Sequence, residues 1–115
     1  MRMWMVDPKI LCRQHLLGEH KELHMMVGHF KKKYKIDGYI RNNCIEPLSI
    51  ISRHIELLNE MIARGYNHKS ELILNINDIS YLGKEIIEYK VNKDNSLLDL
   101  IGRCKECKDR FDRTI

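Results

Sequence analysis

Residues 47–65, PLSIISRHIELLNEMIARG, carry the plainest helix signal in the chain. Leu48, Ile51, Ile55, Leu58 and Ile62 recur at steps of three and four, which makes one apolar stripe on a helix of 3.6 residues per turn. Pro47 suits the first turn, where its missing N–H costs nothing. Gly65, just past Arg64, suits the left-handed residue that closes a helix. The stripe is expected to face the core.

Toward the N-terminus, residues 8–35 read PKILCRQHLLGEHKELHMMVGHFKKKYK. Pro8 with Asp7 as a cap predicts a helix start, and Leu16, His20, Leu23, Val27, Phe30 and Tyr34 supply its apolar stripe. The basic run Lys31, Lys32, Lys33 and Lys35 suits a helix C-terminus electrostatically, and Asp37-Gly38 reads as a turn. Toward the C-terminus, Ser96 and Asp99 look like a capping box opening a third helix, with Leu97, Leu100, Ile101, Cys104 and Phe111 on its apolar face. Residues 66–95, with ELILNIND and KEIIEYKV, have no clean period and admit short helices, loops or one hairpin. Repeats and low-complexity tracts are absent. Three amphipathic helices with short connectors predict an all-α bundle forming one domain over residues 1–115.

Composition narrows the class. At 115 residues, 43% hydrophobic and 31% charged, the chain resembles an ordinary globule rather than a disordered one. No apolar run approaches a membrane span, and MRMWMVDPK lacks the core of a signal peptide, so the cytoplasm is the expected location, of the host cell if the chain is viral. The formal charge of +4 is uneven. Residues 1–45 hold nine Lys/Arg against four Asp/Glu; the remainder holds eleven against twelve. A basic N-terminal third favours an anionic partner, nucleic acid being the commonest.

Four cysteines, Cys12, Cys44, Cys104 and Cys107, are expected as reduced thiols. Cys104 and Cys107 form a single CxxC without a second pair to complete a zinc site, so small buried apolar side chains are expected there and no metal. His20 and His24 are four apart, but the HExxH pattern is missing, and His20 on the apolar stripe reads as a hydrogen-bonded core residue.

The first helix carries a second stripe, His15, Glu19, Glu22, Met26 and His29, rotated about 100° from the first. It reads as a polar face, with His15 and Glu22 projecting from one side. Gly18, one turn before Glu22, costs a helix about 0.5–1 kcal/mol relative to alanine, and such a residue lets another group approach the backbone.

Several stretches resemble the phage-type pyrimidine-dimer DNA glycosylases with apurinic-site lyase activity. The similarity rests on Arg2, Gln14-His15-Leu16 and Lys21-Glu22-Leu23. It continues through Asp37-Gly38, Arg41, Ile45-x-Pro47 and Ile55-Glu56-Leu57…Glu60…Arg64-Gly65-Tyr66-Asn67-x-Lys69. It covers roughly residues 1–80, with a looser echo in the last helix.

The resemblance implies a helical domain that binds damaged double-stranded DNA and excises a pyrimidine of a cyclobutane dimer. In the family the N-terminal α-amine attacks C1′ of the sugar and forms an imine, β-elimination then nicks the strand, and a glutamate on the first long helix assists both steps. Carried over, the catalytic pair is Met1 and Glu22. Arg2, His15 and Lys21 fall at family positions that contact substrate or DNA, and Gln14, Gly18, Arg41, Arg64 and Lys69 complete the expected DNA-binding set. Because Arg2 is too large for initiator trimming, Met1 is expected to stay as the terminal residue. An α-amine has an ordinary pKa of about 7.7–8.0 against about 10.4 for lysine, so far more of it is an unprotonated nucleophile near neutral pH.

The expected chain is a monomer with no cofactor, no metal and no membrane partner. Met25 stands where the family has an arginine, and the chain ends at Ile115 without the aromatic and basic tail of phage members. Elimination chemistry is therefore implied more directly than dimer recognition. A non-catalytic DNA-binding module of the same fold and a small helical interaction protein are the competing classes.

Overall fold

Every regular element described is helical. A computed structural model of the chain describes residues 1–67 and 71–115; Lys69 lies outside them. The helices are α1 (Arg13–Lys31), α2 (Asp37–Arg41), α3 (Ile50–Ala63), α4 (Ile76–Ile79), α5 (Lys84–Ile87), α6 (Lys93–Arg103) and α7 (Lys105–Arg113), with 3-10 turns at Pro8–Ile10 and Pro47–Ser49. Among the described residues the ambiguous 66–95 stretch holds two short helices, the first residues of α6 and no strand. Among them too, no helix is long and apolar enough to cross a membrane.

The first stripe of α1 is core as expected: Leu16, Leu23 and Phe30 are fully buried, with His20 and Val27 beside them. Tyr34 falls past the helix end and is exposed. The helix begins later than the Asp7-Pro8 signal predicts. Asp7 does accept from the Lys9 amide, but it caps only the 3-10 turn, and Cys12 caps α1. The cause is a long-range competitor. Arg64 Nη2 donates to the carbonyls of Pro8 (3.1 Å) and Leu11 (2.7 Å), and Arg110 Nε to that of Lys9 (2.9 Å), engaging oxygens that a continuous helix would use.

Asp37-Gly38 also differs from expectation, since it opens α2 instead of forming a turn. Buried Ile36 accepts from the amides of Tyr39 and Ile40, and Asp37 suits the positive helix start. The reversals sit on either side, at Lys33 and Asn43, both left-handed with φ of 57° and 59°.

The face of α3 is rotated from the predicted one. Ile50, Arg53, His54, Leu57 and Met61 are buried, whereas Leu48, Ile55 and Ile62 are exposed. Arg53 and His54 look solvent-facing on hydropathy alone. Both have partners on α1: Glu19 for Arg53 and His20 for His54. Satisfied polar groups can be buried, and these two turn the helix.

In α6 the expected capping box does not form. Asn92 caps the helix by accepting from the Asn95 amide. Ser96 is buried, and its hydroxyl donates to the Trp4 carbonyl (2.5 Å). Asp99 turns to Arg2 and Arg103. The predicted last helix is broken at Cys104, whose extended backbone ends α6 and caps α7.

These departures converge on the N-terminal arm. Met3 N–H donates to the Cys44 carbonyl (2.6 Å), Ser96 holds Trp4, and Arg53 Nη1 holds the Val6 carbonyl (2.7 Å). Met3, Trp4 and Val6 are buried, and Met1 packs against the core. The start of the chain is thus threaded across the bundle and fixed there.

Candidate active site

The arm brings the first peptide of the chain to the polar side of α1. Glu22 Oε2 accepts from the Arg2 backbone N–H at 2.8 Å. Three covalent bonds separate that nitrogen from the α-amine of Met1, which therefore lies within roughly 6.5 Å of the carboxylate oxygen. One turn earlier, the Trp4 amide acts on Glu19 in the sense that favours its carboxylate form.

Glu19 is not part of a solvated face. It is 1% exposed and pairs with Arg53, also 1% exposed, through Nε–Oε2 (2.6 Å) and Nη2–Oε1 (3.0 Å). Burial pushes its carboxyl above the ordinary value; the two bonds from Arg53, then that from Trp4, oppose the shift. Met26 of the same stripe is fully buried as well. The second stripe is thus part core and part site.

Arg2, Trp4, Gln14, His15, Gly18, Glu19 and Glu22 line one open hollow of about 270 Å³. Five of these were expected from the sequence. Gly18 forms part of the wall, and a Cβ there would meet nothing within 4 Å among the described residues. The guanidinium of Arg2 lies over the Trp4 ring (3.9 Å to its centroid) and is paired with Asp99, while its buried Nε–H has no partner among the described residues. The His15 ring meets Trp4 edge-on with centroids 5.7 Å apart. Trp4 and Glu19 were missed because the arm has no helical period, and a lone glutamate on a polar stripe carries no mark of burial.

The other expected residues are placed differently. Lys21 on α1 and Arg41 at the end of α2 are exposed and do not line the hollow. Arg64 is a strut: Nε pairs with Glu60 (2.8 Å), and Nη2 serves the carbonyls before α1. Met25 is exposed.

Among the described residues, two clusters of potential metal ligands flank α1. His20, His24 and His54 form one; His20 and His54 approach to 3.0 Å between Nε2 atoms, so His20 is indeed hydrogen-bonded in the core. Cys12, His15, Cys104 and Cys107 form the other. The CxxC therefore does not stand alone, which corrects the reading that nothing completes it: the remaining donors, Cys12 and His15, lie 89 to 95 positions away. Burial pushes the Cys107 thiol up to about 12; the Cys12 amide opposes this, and the Cys104 and Cys12 sulfurs reinforce it.

A family model described as pyrimidine dimer DNA glycosylase matches residues 1–74, which include the arm, α1 and α3. The chain belongs to that family. Damaged DNA is the substrate class that membership implies. No curated protein and no solved structure shows a significant match to the chain. The matched segment contains every residue lining the hollow, whereas Asp99, Cys104 and Cys107 lie beyond it.

Proposed function

We propose that the protein is a DNA glycosylase with apurinic-site lyase activity toward pyrimidine dimers in duplex DNA, and that the Met1 α-amine is its nucleophile. The observation that carries the reading is the hydrogen bond from the Arg2 amide to Glu22, which joins the start of the chain to a carboxylate beside an open hollow. An unprotonated amine attacks C1′ of the damaged nucleotide. The glycosidic bond breaks with its electron pair going to the base, which takes up a proton. Opening of the sugar gives an imine, a base removes a proton from C2′, and the 3′ phosphate leaves. Glu22 is suited to two tasks: stabilising positive charge developing at the sugar, and moving protons during imine formation and elimination.

The lesion must leave the stack to be reached, and a damaged pair permits this at lower cost. The hollow supplies an aromatic wall in Trp4 and a wall without a side chain at Gly18. Exposed Lys21, Arg41 and the Lys31–Lys35 run are suited to backbone phosphates.

Borohydride trapping tests the reading. With abasic or dimer-containing duplex, a covalent adduct through residue 1 is expected. Salt-sensitive binding without an adduct would instead identify a non-catalytic binding module, and no DNA affinity even at low salt would identify an interaction protein of another class.

A further inference from the structure

We propose that Cys12, His15, Cys104 and Cys107 form a tetrahedral structural zinc site that clamps the start of α1 to the junction of α6 and α7. The four donor atoms all lie within 4.8 Å of one another. Cys12 Sγ is 3.8 Å from Cys104 Sγ and 3.2 Å from His15 Nδ1, and Cys107 Sγ is 3.7 Å from His15 Nδ1. Tetrahedral zinc, with bonds of about 2.3 Å to sulfur and 2.0–2.1 Å to nitrogen, requires separations of about 3.8 Å and about 3.5 Å. The set therefore surrounds a space of the correct size. A disulfide would need sulfurs at about 2.0 Å, and the Cys12–Cys104 separation is far longer.

A second, independent feature is the treatment of the sulfurs by the backbone. Cys12 Sγ faces the His15 amide (3.5 Å), Cys104 Sγ the Cys107 amide (3.4 Å) and Cys107 Sγ the Cys12 amide (3.2 Å). Each sulfur receives one N–H, an arrangement that stabilises thiolates and orients them as ligands. It also explains two local irregularities: Cys12 and Cys104 cap α1 and α7 with side chains that are otherwise poor caps, and the last helix breaks at Cys104. Cys12 and Cys107 are buried, while His15 and Cys104 are half-buried, giving a closed site with no open position for chemistry.

Zinc binding would displace the thiol protons to solvent and leave three thiolates and one neutral imidazole around the ion. With Nδ1 on the metal, the remaining imidazole proton belongs to Nε2, so His15, which also lines the hollow, is fixed in one tautomer as a donor. The proposal concerns metal affinity and is independent of the DNA chemistry.

Cobalt titration of the full, reduced, metal-free protein tests it without DNA. Expected are one equivalent of Co²⁺ bound, a sulfur-to-cobalt charge-transfer band, visible bands of tetrahedral intensity, and bleaching of both by zinc. Cys107→Ser should weaken zinc binding more than about 100-fold, since even changes behind the ligands cost 10- to 100-fold. His54→Ala should leave the spectrum unchanged. If Cys107→Ser does not fold, His15→Cys supplies the second variant: a fourth thiolate should keep tetrahedral binding and strengthen the charge-transfer band. A weak octahedral spectrum, a spectrum unaffected by Cys107→Ser or His15→Cys, or its loss in His54→Ala would each overturn the proposal.

Discussion

The backbone N–H of Arg2 donates to the Glu22 carboxylate across 2.8 Å and twenty positions of sequence. A backbone donor cannot be moved by rotating a side chain, so this bond locates the terminus itself. The terminus is also restrained from behind, by Cys44, Ser96 and Arg53 acting on Met3, Trp4 and Val6.

Glu22→Gln keeps an oxygen that can accept the Arg2 N–H but removes the charge and the proton acceptor. Base release is expected to fall by about 10²- to 10⁴-fold, the usual range for a lost general acid–base group, with duplex binding nearly unchanged. Single-turnover excision and a binding titration on one preparation check both halves. Parallel loss of binding and activity would mean that Glu22 is structural.

One extra residue ahead of Met1 moves the α-amine away from Glu22 while leaving every side chain in place. Imine trapping should drop to background, and the fold, followed by circular dichroism, should persist. Full trapping in the extended chain would transfer the nucleophile to a lysine.

Arg53 and Glu19 are both almost wholly buried, so removing Arg53 strands the Glu19 carboxylate, and removing Glu19 leaves Arg53 only a 3.4 Å ion pair with Glu56 among the described residues. Glu19→Leu or Arg53→Met should destabilise the protein by about 3–5 kcal/mol, and the double replacement should recover much of that. Urea unfolding of the three variants measures the cycle. Because Arg53 also anchors the Val6 carbonyl, its loss should lower trapping yield even where the protein remains folded.

Gly18 separates stability from function. Alanine there should stabilise α1 by about 0.5–1 kcal/mol, because none of the described residues lies within 4 Å of the new methyl group. Leucine should leave stability at or above that of the parent yet lower affinity for lesion-containing duplex by filling the hollow. Unchanged lesion affinity in Gly18→Leu would show that substrate does not enter there.

The helical class and the family were legible in the linear chain. The stripe Leu16, Leu23, Phe30 needed only local periodicity, and the order Arg2, Gln14-His15, Lys21-Glu22 carried the family resemblance. At the start of α1 and on the face of α3, distant polar partners overrode the local pattern. Arg64 and Arg110 captured the carbonyls that would have extended α1 backward, and Glu19 and His20 drew Arg53 and His54 into the core and rotated α3. Periodicity reports which residues share a face of one helix, because that is fixed by 3.6 residues per turn. It does not report which face finds a counter-charge or a fourth ligand, since those partners stand 34 to 95 positions away and meet only when the chain is folded.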